Sequence, residues 1–265
     1  MPGDHRLDIP DGVPSAGLKR DTGYTAGRAA NLTFRKFPMT RFDDTPFNTL
    51  VTCCEPQWLA YCQHDFVRQL GAGTLPHEAF RHYLRQDYLF LVHFARAWGL
   101  AVYKSRDMAE LRQGLDSLKA IVDIEMDLHI AYCAEWGITE EELGLLPEAR
   151  ETMAYTRYVL DAGNRGDLLD LHVALAPCLI GYADIANWLA AQPFIVRGEA
   201  NPYEAWIAMY TSPEFQAAAE AERQWLNRRL ADQTPGRLAV LTETFRDATR
   251  LEADFWQMGL TAAGG

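Results

Sequence analysis

Apolar residues recur every three or four positions along most of the chain from about Pro56 onward, the spacing of an α-helix with one buried face. Alternating runs of β-branched residues are scarce. The pattern therefore predicts an all-α fold, a single-domain helical bundle. The predicted helices are one centred on 85–94 that is entered at 74–76, followed by about 107–136, 147–163, 166–191, 202–210, 213–231 and 235–259.

Three start signals divide this helical region. Thr139 and Glu142 have the spacing of a capping box, in which each side chain bonds the backbone N–H of the other residue. Asn201 and Glu204 repeat that spacing, with proline at the first helical position. Ser212, followed by proline, is a third cap. Each signal predicts that a helix begins there.

The first part of the chain lacks this periodicity. Residues 1–38 combine many glycines, prolines and charges, so we expect them to be disordered or loosely attached. We therefore divide the chain into an N-terminal extension, residues 1–50, and a helical domain, residues 51–265.

The composition narrows the functional classes. A net charge of −11 without a basic block argues against nucleic acid or an anionic membrane as the main partner. The stretch 168–191 is long enough to span a bilayer, but its charged and polar residues favour the buried helix of a soluble protein. The five cysteines show no metal or disulfide spacing, which fits a reducing cytoplasm.

One thiol stands in an unusual place. Pro177 lies inside this apolar helix, where proline removes a backbone donor at a cost of about 3 kcal/mol, and Cys178 follows it directly. A fold that retains such a kink can use it to shape a pocket. Tyr182 comes four residues after Cys178, so we expect the phenol and the thiol to share one helix face. The alternative is an ordinary buried cysteine in a kinked core helix.

Two carboxylates lie on apolar helix faces. Asp87 shares a face with Phe90, and Glu252 comes three and four residues before Phe255 and Trp256. A buried carboxylate must find a donor or have its pKa raised, and a raised pKa suits a proton donor near neutral pH. The alternative for Asp87 is a partly exposed carboxylate that pairs with a neighbouring arginine, and the alternative for Glu252 is a surface glutamate that balances Arg250 or Arg246.

Glu125 and His129 are four residues apart, which raises the question of a metal site. A ferritin-like di-iron site needs a second Glu-x-x-His motif, and the sequence contains none. The seven histidines do not single out an axial ligand for haem. We therefore expect no metal and no cofactor, and structural roles for His93, His129 and His172.

Six segments, in their order along residues 56–260, together resemble the TenA family, also called thiaminase II or aminopyrimidine aminohydrolase. Any one of them is a weak signal, whereas six in register are specific. They are Leu84–Phe94, Glu125–His129, Tyr155-Thr156, Ala176–Tyr182, Tyr203–Tyr210 and Glu252–Trp256.

The resemblance implies an all-helical fold like that of haem oxygenase, assembled as a homotetramer, with the site inside the bundle. It also implies an enzyme of thiamin salvage. Such an enzyme hydrolyses 4-amino-5-aminomethyl-2-methylpyrimidine to the hydroxymethyl pyrimidine and ammonia, and it can cleave thiamin between its pyrimidine and thiazole rings. The implied partner is thus a small aminopyrimidine or thiamin.

The resemblance further implies roles for individual residues. Cys178 matches the family nucleophile that adds to the pyrimidine ring, and Glu252 matches the acid that protonates a ring nitrogen. Asp87 matches the carboxylate that holds a ring nitrogen and the exocyclic amine. Tyr182 and Tyr210 match tyrosines that line the pocket and hydrogen-bond around the reacting centre.

One departure bears on substrate orientation: Phe90 stands where family members often have tyrosine, so the pocket wall lacks one hydroxyl. Retention of Cys178 places the chain with the cysteine-bearing branch of the family. Two alternatives stay open. One is a di-iron oxygenase or haem-handling protein on the same fold, and the other is a non-catalytic pyrimidine-binding or regulatory protein. The sequence has no helix-turn-helix signature that would indicate direct DNA binding.

Overall fold

The computed structural model describes residues 44–264, and across that range it contains helices and connecting segments but no strand. Segment 1–38, for which we expect disorder or loose attachment, lies outside the described residues. The all-α class predicted from the sequence is confirmed. The helices are α1 (Pro46–Cys53), α2 (Glu55–Cys62), α3 (Asp65–Gly71), α4 (His77–Lys104), α5 (Met108–Ala120), α6 (Met126–Glu135), α7 (Glu140–Gly144), α8 (Arg150–Arg165), α9 (Leu168–Ala176), α10 (Tyr182–Ala190), α11 (Glu204–Tyr210), α12 (Pro213–Leu230) and α13 (Pro235–Ala263).

The two longest helices, α4 and α13, form the centre of the bundle. They pack along each other, and α8 and α9 contact both. Their inner faces carry large apolar side chains, among them Trp98 and Trp256, and burial of such surface is the main force that holds the helices together. Because Asp87 of α4 and Glu252 of α13 lie on these same faces, packing carries both carboxylates into the interior, where they are 4% and 2% exposed.

Two of the three predicted helix starts form as expected. The Thr139 side chain accepts from the backbone N–H of Glu142, whose carboxylate accepts from the N–H of Thr139 at 2.8 Å. Ser212 caps α12. The capping box predicted at Asn201 is wrong, since α11 begins at Glu204 and the Glu204 carboxylate binds Arg197 instead. The side chain of buried Asn201 instead accepts from the backbone N–H of Tyr203 at 2.9 Å, and its amide donates to the backbone carbonyls of Leu70 and Val196.

Helix α1 begins ten residues before Pro56, where the helical pattern of the sequence starts. Thr45 caps it and Pro46 occupies its first turn. Eight residues are too few for a clear helical period, and a helix this short depends on tertiary packing. The packing is supplied by contacts with α12 and by the edge of the Phe47 ring on Phe245, with the centroids 5.5 Å apart.

Two π-helical turns interrupt the long helices. The helix predicted over about 107–136 follows a continuous path from Met108 to Glu135, but Ile121–Glu125 forms a π-helical turn between α5 and α6. The kink predicted at Pro177 is a second π-helical turn, Pro177–Gly181, between α9 and α10. Such a turn inserts an extra residue, changes the direction of the side chains near it, and is frequent at functional sites.

The second π-helical turn packs tightly against α2. The Tyr61 phenol donates a hydrogen bond to the backbone carbonyl of Pro177 at 3.0 Å. A Cβ on Gly181 would lie 2.4 Å from Cε1 of Tyr61. Tyr61 is fully buried and contacts the rings of Trp58 and Trp256, so it has little room to move away. The close approach of α2 to this turn therefore requires glycine at position 181.

We predict that Gly181→Ala lowers the free energy of unfolding by about 1–3 kcal/mol, the usual cost of overpacking a core. Gly99→Ala is the matched control, because Gly99 lies within α4 and a Cβ there would meet nothing within 4 Å. The control should be neutral or more stable by up to about 1 kcal/mol, owing to the helix propensity of alanine. Urea unfolding measures both. Equal stability of the two variants would contradict the role given to Gly181.

Candidate active site

Cys178 lies in the second π-helical turn, where Cys178 and Leu179 keep intermediate exposure while Pro177 and Ile180 are buried. Burial raises the pKa of the thiol well above its usual value, and the negative charges of Glu252, Glu125 and Asp87 raise it further. The sulfur therefore rests as a neutral thiol near neutral pH. Three carboxylates, each from a different part of the chain, act on it electrostatically.

Glu252 is held by a tyrosine. The Tyr155 phenol of α8 donates to Oε1 of Glu252 at 2.8 Å, and both side chains are buried. Burial raises the pKa of Glu252 to about 8, since it outweighs the hydrogen bond from Tyr155, and the charge of Asp87 adds to the increase. A carboxyl with this pKa is mostly protonated at neutral pH and can donate a proton. The alternative of a surface glutamate paired with arginine is wrong.

Asp87 is held by a histidine. Nε2 of His129 lies 2.6 Å from Oδ2 of Asp87, and Nδ1 lies 2.8 Å from the backbone carbonyl oxygen of Glu125. Because a carbonyl oxygen only accepts, Nδ1 carries a proton. Burial lowers the pKa of His129, but the hydrogen bond and charge of Asp87 and the charge of Glu125 outweigh it, so the pKa is raised. The pair is a buried histidine–carboxylate contact. The predicted alternative of an Asp–Arg pair is wrong.

Glu125 is the third carboxylate, and it lies at the end of the first π-helical turn. Oε1 of Glu125 accepts a hydrogen bond from the phenol of Tyr210, the last residue of α11, at 2.8 Å. Burial raises its pKa to about 7; the charge of His129 lowers it and that of Asp87 raises it. Glu125 therefore changes its charge near neutral pH.

Aromatic rings surround these carboxylates. The hydroxyls of Tyr182 and Tyr83 lie 3.5 Å apart, and the indole N–H of Trp206 donates to the Tyr83 oxygen at 3.2 Å. Phe90 stacks on Tyr155 with the ring centroids 5.0 Å apart, beside the tyrosine that holds Glu252. All five rings are at most 6% exposed. Their apolar surface removes water from the carboxylates, which is the physical reason for the raised pKa values.

The structure brings the predicted site residues together. Cys178, Glu252 and Asp87 interact electrostatically with one another. The remaining three join them through one further side chain each: Tyr210 through Glu125, Tyr182 through Tyr83, and Phe90 through Tyr155.

Sequence reasoning missed the three side chains that complete this cluster, Tyr155, His129 and Glu125. The spacing of Glu125 and His129 is visible in the sequence, but it suggests a shared metal ion. In the structure their side chains bind different partners, Tyr210 and Asp87 respectively. The expectation of a purely structural His129 therefore has to be corrected, because this ring holds a carboxylate of the candidate site. Tyr155 lies in a segment whose sequence gives no sign that it faces Glu252.

Two further observations concern metals and membranes. Within residues 44–264 no three His, Cys, Asp or Glu side chains are placed so that they could hold a metal ion. One helical stretch in that range, Leu168–Ala190, is long and apolar enough to span a bilayer, and 83% of its most apolar window is buried inside the fold. That degree of burial is typical of a core helix.

Comparison with known proteins identifies a family and several relatives that resemble most of this chain. The model of the TENA/THI-4/PQQC family matches residues 53–262. An uncharacterized protein of Haemophilus influenzae is 42% identical over 214 residues, which are 81% of this chain and 98% of that protein. An aminopyrimidine aminohydrolase of Halalkalibacterium halodurans is 36% identical over 209 residues, 77% of this chain and 90% of the relative.

A solved structure shares the fold. The crystal structure of a protein from a Silicibacter species, described as a TenA family transcription regulator, is 45% identical and superposes with a TM-score of 0.75, covering 82% of this chain and 96% of that one. The family match spans most of the chain and includes every candidate site residue. The chain belongs to the TENA/THI-4/PQQC family.

Proposed function

We propose that this protein is an aminopyrimidine aminohydrolase of thiamin salvage, which converts 4-amino-5-aminomethyl-2-methylpyrimidine and water to the hydroxymethyl pyrimidine and ammonia. The observation that carries the proposal is the convergence of one accessible thiol, Cys178, with a protonated Glu252 and a paired Asp87 in the interior of the bundle. The aminopyrimidine aminohydrolase named among its relatives supports the same reaction class.

The reaction begins with proton transfer. Glu252 gives its proton to a ring nitrogen, while Asp87 holds another ring nitrogen and the exocyclic amine. Protonation makes a ring carbon electrophilic enough for sulfur to attack. The resulting Glu252 carboxylate then takes the thiol proton of Cys178 as the carbon–sulfur bond forms, so the thiol proton in effect replaces the one that the acid gave. General acid help of this kind is typically worth about 10²–10⁴-fold.

The covalent adduct makes the amine a leaving group. Addition of sulfur breaks the aromaticity of the ring, and the ring electrons then expel the nitrogen from the exocyclic carbon as ammonia. Water adds to that carbon and loses a proton. The carbon–sulfur bond breaks, the ring proton returns to the sulfur by way of Glu252, and the ring regains its aromaticity. Nucleophilic catalysis thus divides one difficult displacement into several easier steps. Thiamin undergoes the same sequence with the thiazole ring as leaving group.

We predict that Cys178→Ala reduces ammonia release from the aminomethyl pyrimidine by at least about a hundredfold, because no other side chain supplies the nucleophile. Cys133→Ala is the control, since Cys133 is a buried cysteine on α6 outside the candidate site. An ammonia-release assay measures activity, and thermal unfolding shows whether each variant is folded.

Full activity of folded Cys178→Ala protein would contradict the nucleophile. Unsubstituted protein that binds the aminomethyl pyrimidine but releases no ammonia would contradict the enzyme and favour the binding or regulatory alternative. Running the assay with thiamin in parallel shows which of the two substrates is preferred.

A second prediction concerns the proton on Glu252. Its pKa is about 8 in the folded protein against an ordinary value of 4.5, so the folded state keeps a proton that the unfolded state loses as the pH rises. The contribution of protonated Glu252 to the free energy of unfolding is therefore greatest below about pH 4.5, and it decreases between pH 4.5 and pH 8. Relative to Glu252→Gln, the unsubstituted protein should lose roughly 4 kcal/mol of unfolding free energy over this window.

Urea unfolding at pH 5, 7 and 9 measures this difference. Glu243→Gln is the matched control, because Glu243 is exposed on the same helix. The control should follow the unsubstituted protein at each pH. A constant stability difference between Glu252→Gln and the unsubstituted protein would show that Glu252 is not a high-pKa acid.

We also propose that residues 51–265 form the catalytic domain, that the protein is cytoplasmic and that, as the family resemblance implies, it assembles into a homotetramer. With a chain mass of 29.9 kDa, a tetramer has a mass of about 120 kDa, four times the chain. Light scattering on the purified full chain checks this, and a monomeric mass would contradict the assembly.

A further inference from the structure

Three carboxylates act electrostatically on the Cys178 sulfur, but the proposed reaction uses only two of them. Glu252 is the proton donor and Asp87 holds the ring edge, whereas Glu125 has no assigned part. Its position does not suggest a surface residue: its carboxylate accepts from a buried phenol, and it acts electrostatically on the thiol. Like Cys178, it lies in a π-helical turn, the kind of irregularity that accompanies functional sites.

Asp87 interacts with both of the other carboxylates, and on the proposed substrate ring the polar edge that Asp87 would hold likewise lies between two other polar groups. The charge of Asp87 raises the pKa of both Glu252 and Glu125, so Asp87 lies within reach of the other two. His129 joins Asp87 to the backbone of Glu125. On the aminopyrimidine, the edge formed by a ring nitrogen and the exocyclic amine adjoins the carbon that bears the aminomethyl group, and the other ring nitrogen lies beyond. If Asp87 holds that edge and Glu252 the far nitrogen, Glu125 is left beside the aminomethyl group.

The aminomethyl group is cationic, so a negatively charged side chain would bind it well. An aminomethyl group is an ordinary primary amine and is cationic at neutral pH. When its carbon–nitrogen bond breaks, the electron pair leaves with the nitrogen as neutral ammonia, and the positive charge remains on the adduct. An unprotonated amine would have to leave as an amide ion, which is a far poorer leaving group. The thiazole nitrogen of thiamin is cationic as well. Both leaving groups therefore bear a positively charged nitrogen.

We infer that Glu125, positioned by Tyr210, is the subsite that binds the positively charged leaving nitrogen, and that it selects aminopyrimidines with a cationic group on the 5-methylene. The inference rests on the proposed function. The Tyr210 hydroxyl donates its proton to Oε1 of Glu125, so the lone pairs of the phenol oxygen are an additional acceptor for N–H groups. His129 is engaged with Asp87 and the Glu125 backbone, so it does not neutralise the Glu125 carboxylate by direct contact.

The test compares two ligands that differ only in this charge, 4-amino-5-aminomethyl-2-methylpyrimidine and the neutral 4-amino-2,5-dimethylpyrimidine. Titration calorimetry at pH 8 uses protein that carries Cys178→Ala, which prevents turnover. Adding Glu125→Gln, which keeps an oxygen for Tyr210, should raise the Kd of the aminomethyl ligand by about tenfold or more, the usual worth of a charge-assisted hydrogen bond. The Kd of the dimethyl ligand should change less than about twofold.

Asp123→Asn is the matched control, because Asp123 carries the same charge in the same π-helical turn but is exposed. It should leave both Kd values unchanged. Equal weakening of both ligands by Glu125→Gln would show a structural role, and no change in either would show that Glu125 does not contact the ligand; both results overturn the inference. Failure of the proposed function looks different, since unsubstituted protein would then release no ammonia from the aminomethyl pyrimidine.

Discussion

The structure depends on how it keeps three carboxylates, two of them buried and one partly buried, among apolar helices. Burying an unpaired carboxylate is costly, so each must be protonated or matched with a donor. Here each has a different partner: Glu252 has the phenol of Tyr155, Asp87 has the imidazole of His129, and the third, at position 125, has a phenol from α11. Burial raises the pKa of Glu252 to about 8 and that of Glu125 to about 7, so these two carboxyls change charge near neutral pH.

The same cluster governs the charge state of Cys178, the proposed nucleophile. Reactive cysteines commonly have a cation nearby that stabilises the thiolate, whereas the charges that act most strongly on Cys178 are negative. The free site therefore keeps the sulfur protonated and unreactive. In the proposed reaction, the positive charge of a protonated pyrimidine would favour the thiolate.

Much of this was predictable from the sequence. The helical period, the caps at Thr139 and Ser212 and the proline inside an apolar helix are local features, and local rules interpret them correctly. Asn201 shows where such rules fail: its side chain serves contacts with distant backbone, and a cap pattern contains no information about distant partners. Helix α1 was missed because eight residues carry too short a pattern and its stability comes from α12.

For the candidate site, the sequence by itself determined which residue types were available and on which helix faces they lie, because the helical period fixes those faces. It thereby singled out Cys178, Asp87 and Glu252. Only the tertiary structure decided their partners, since Tyr155 and His129 lie far along the chain from the carboxylates that they bind, and the carboxylate at position 125 is bound by a distant phenol. Charge state follows partners and burial rather than residue type. The tertiary packing therefore made one carboxyl an acid with a pKa of about 8 and another the partner of a histidine.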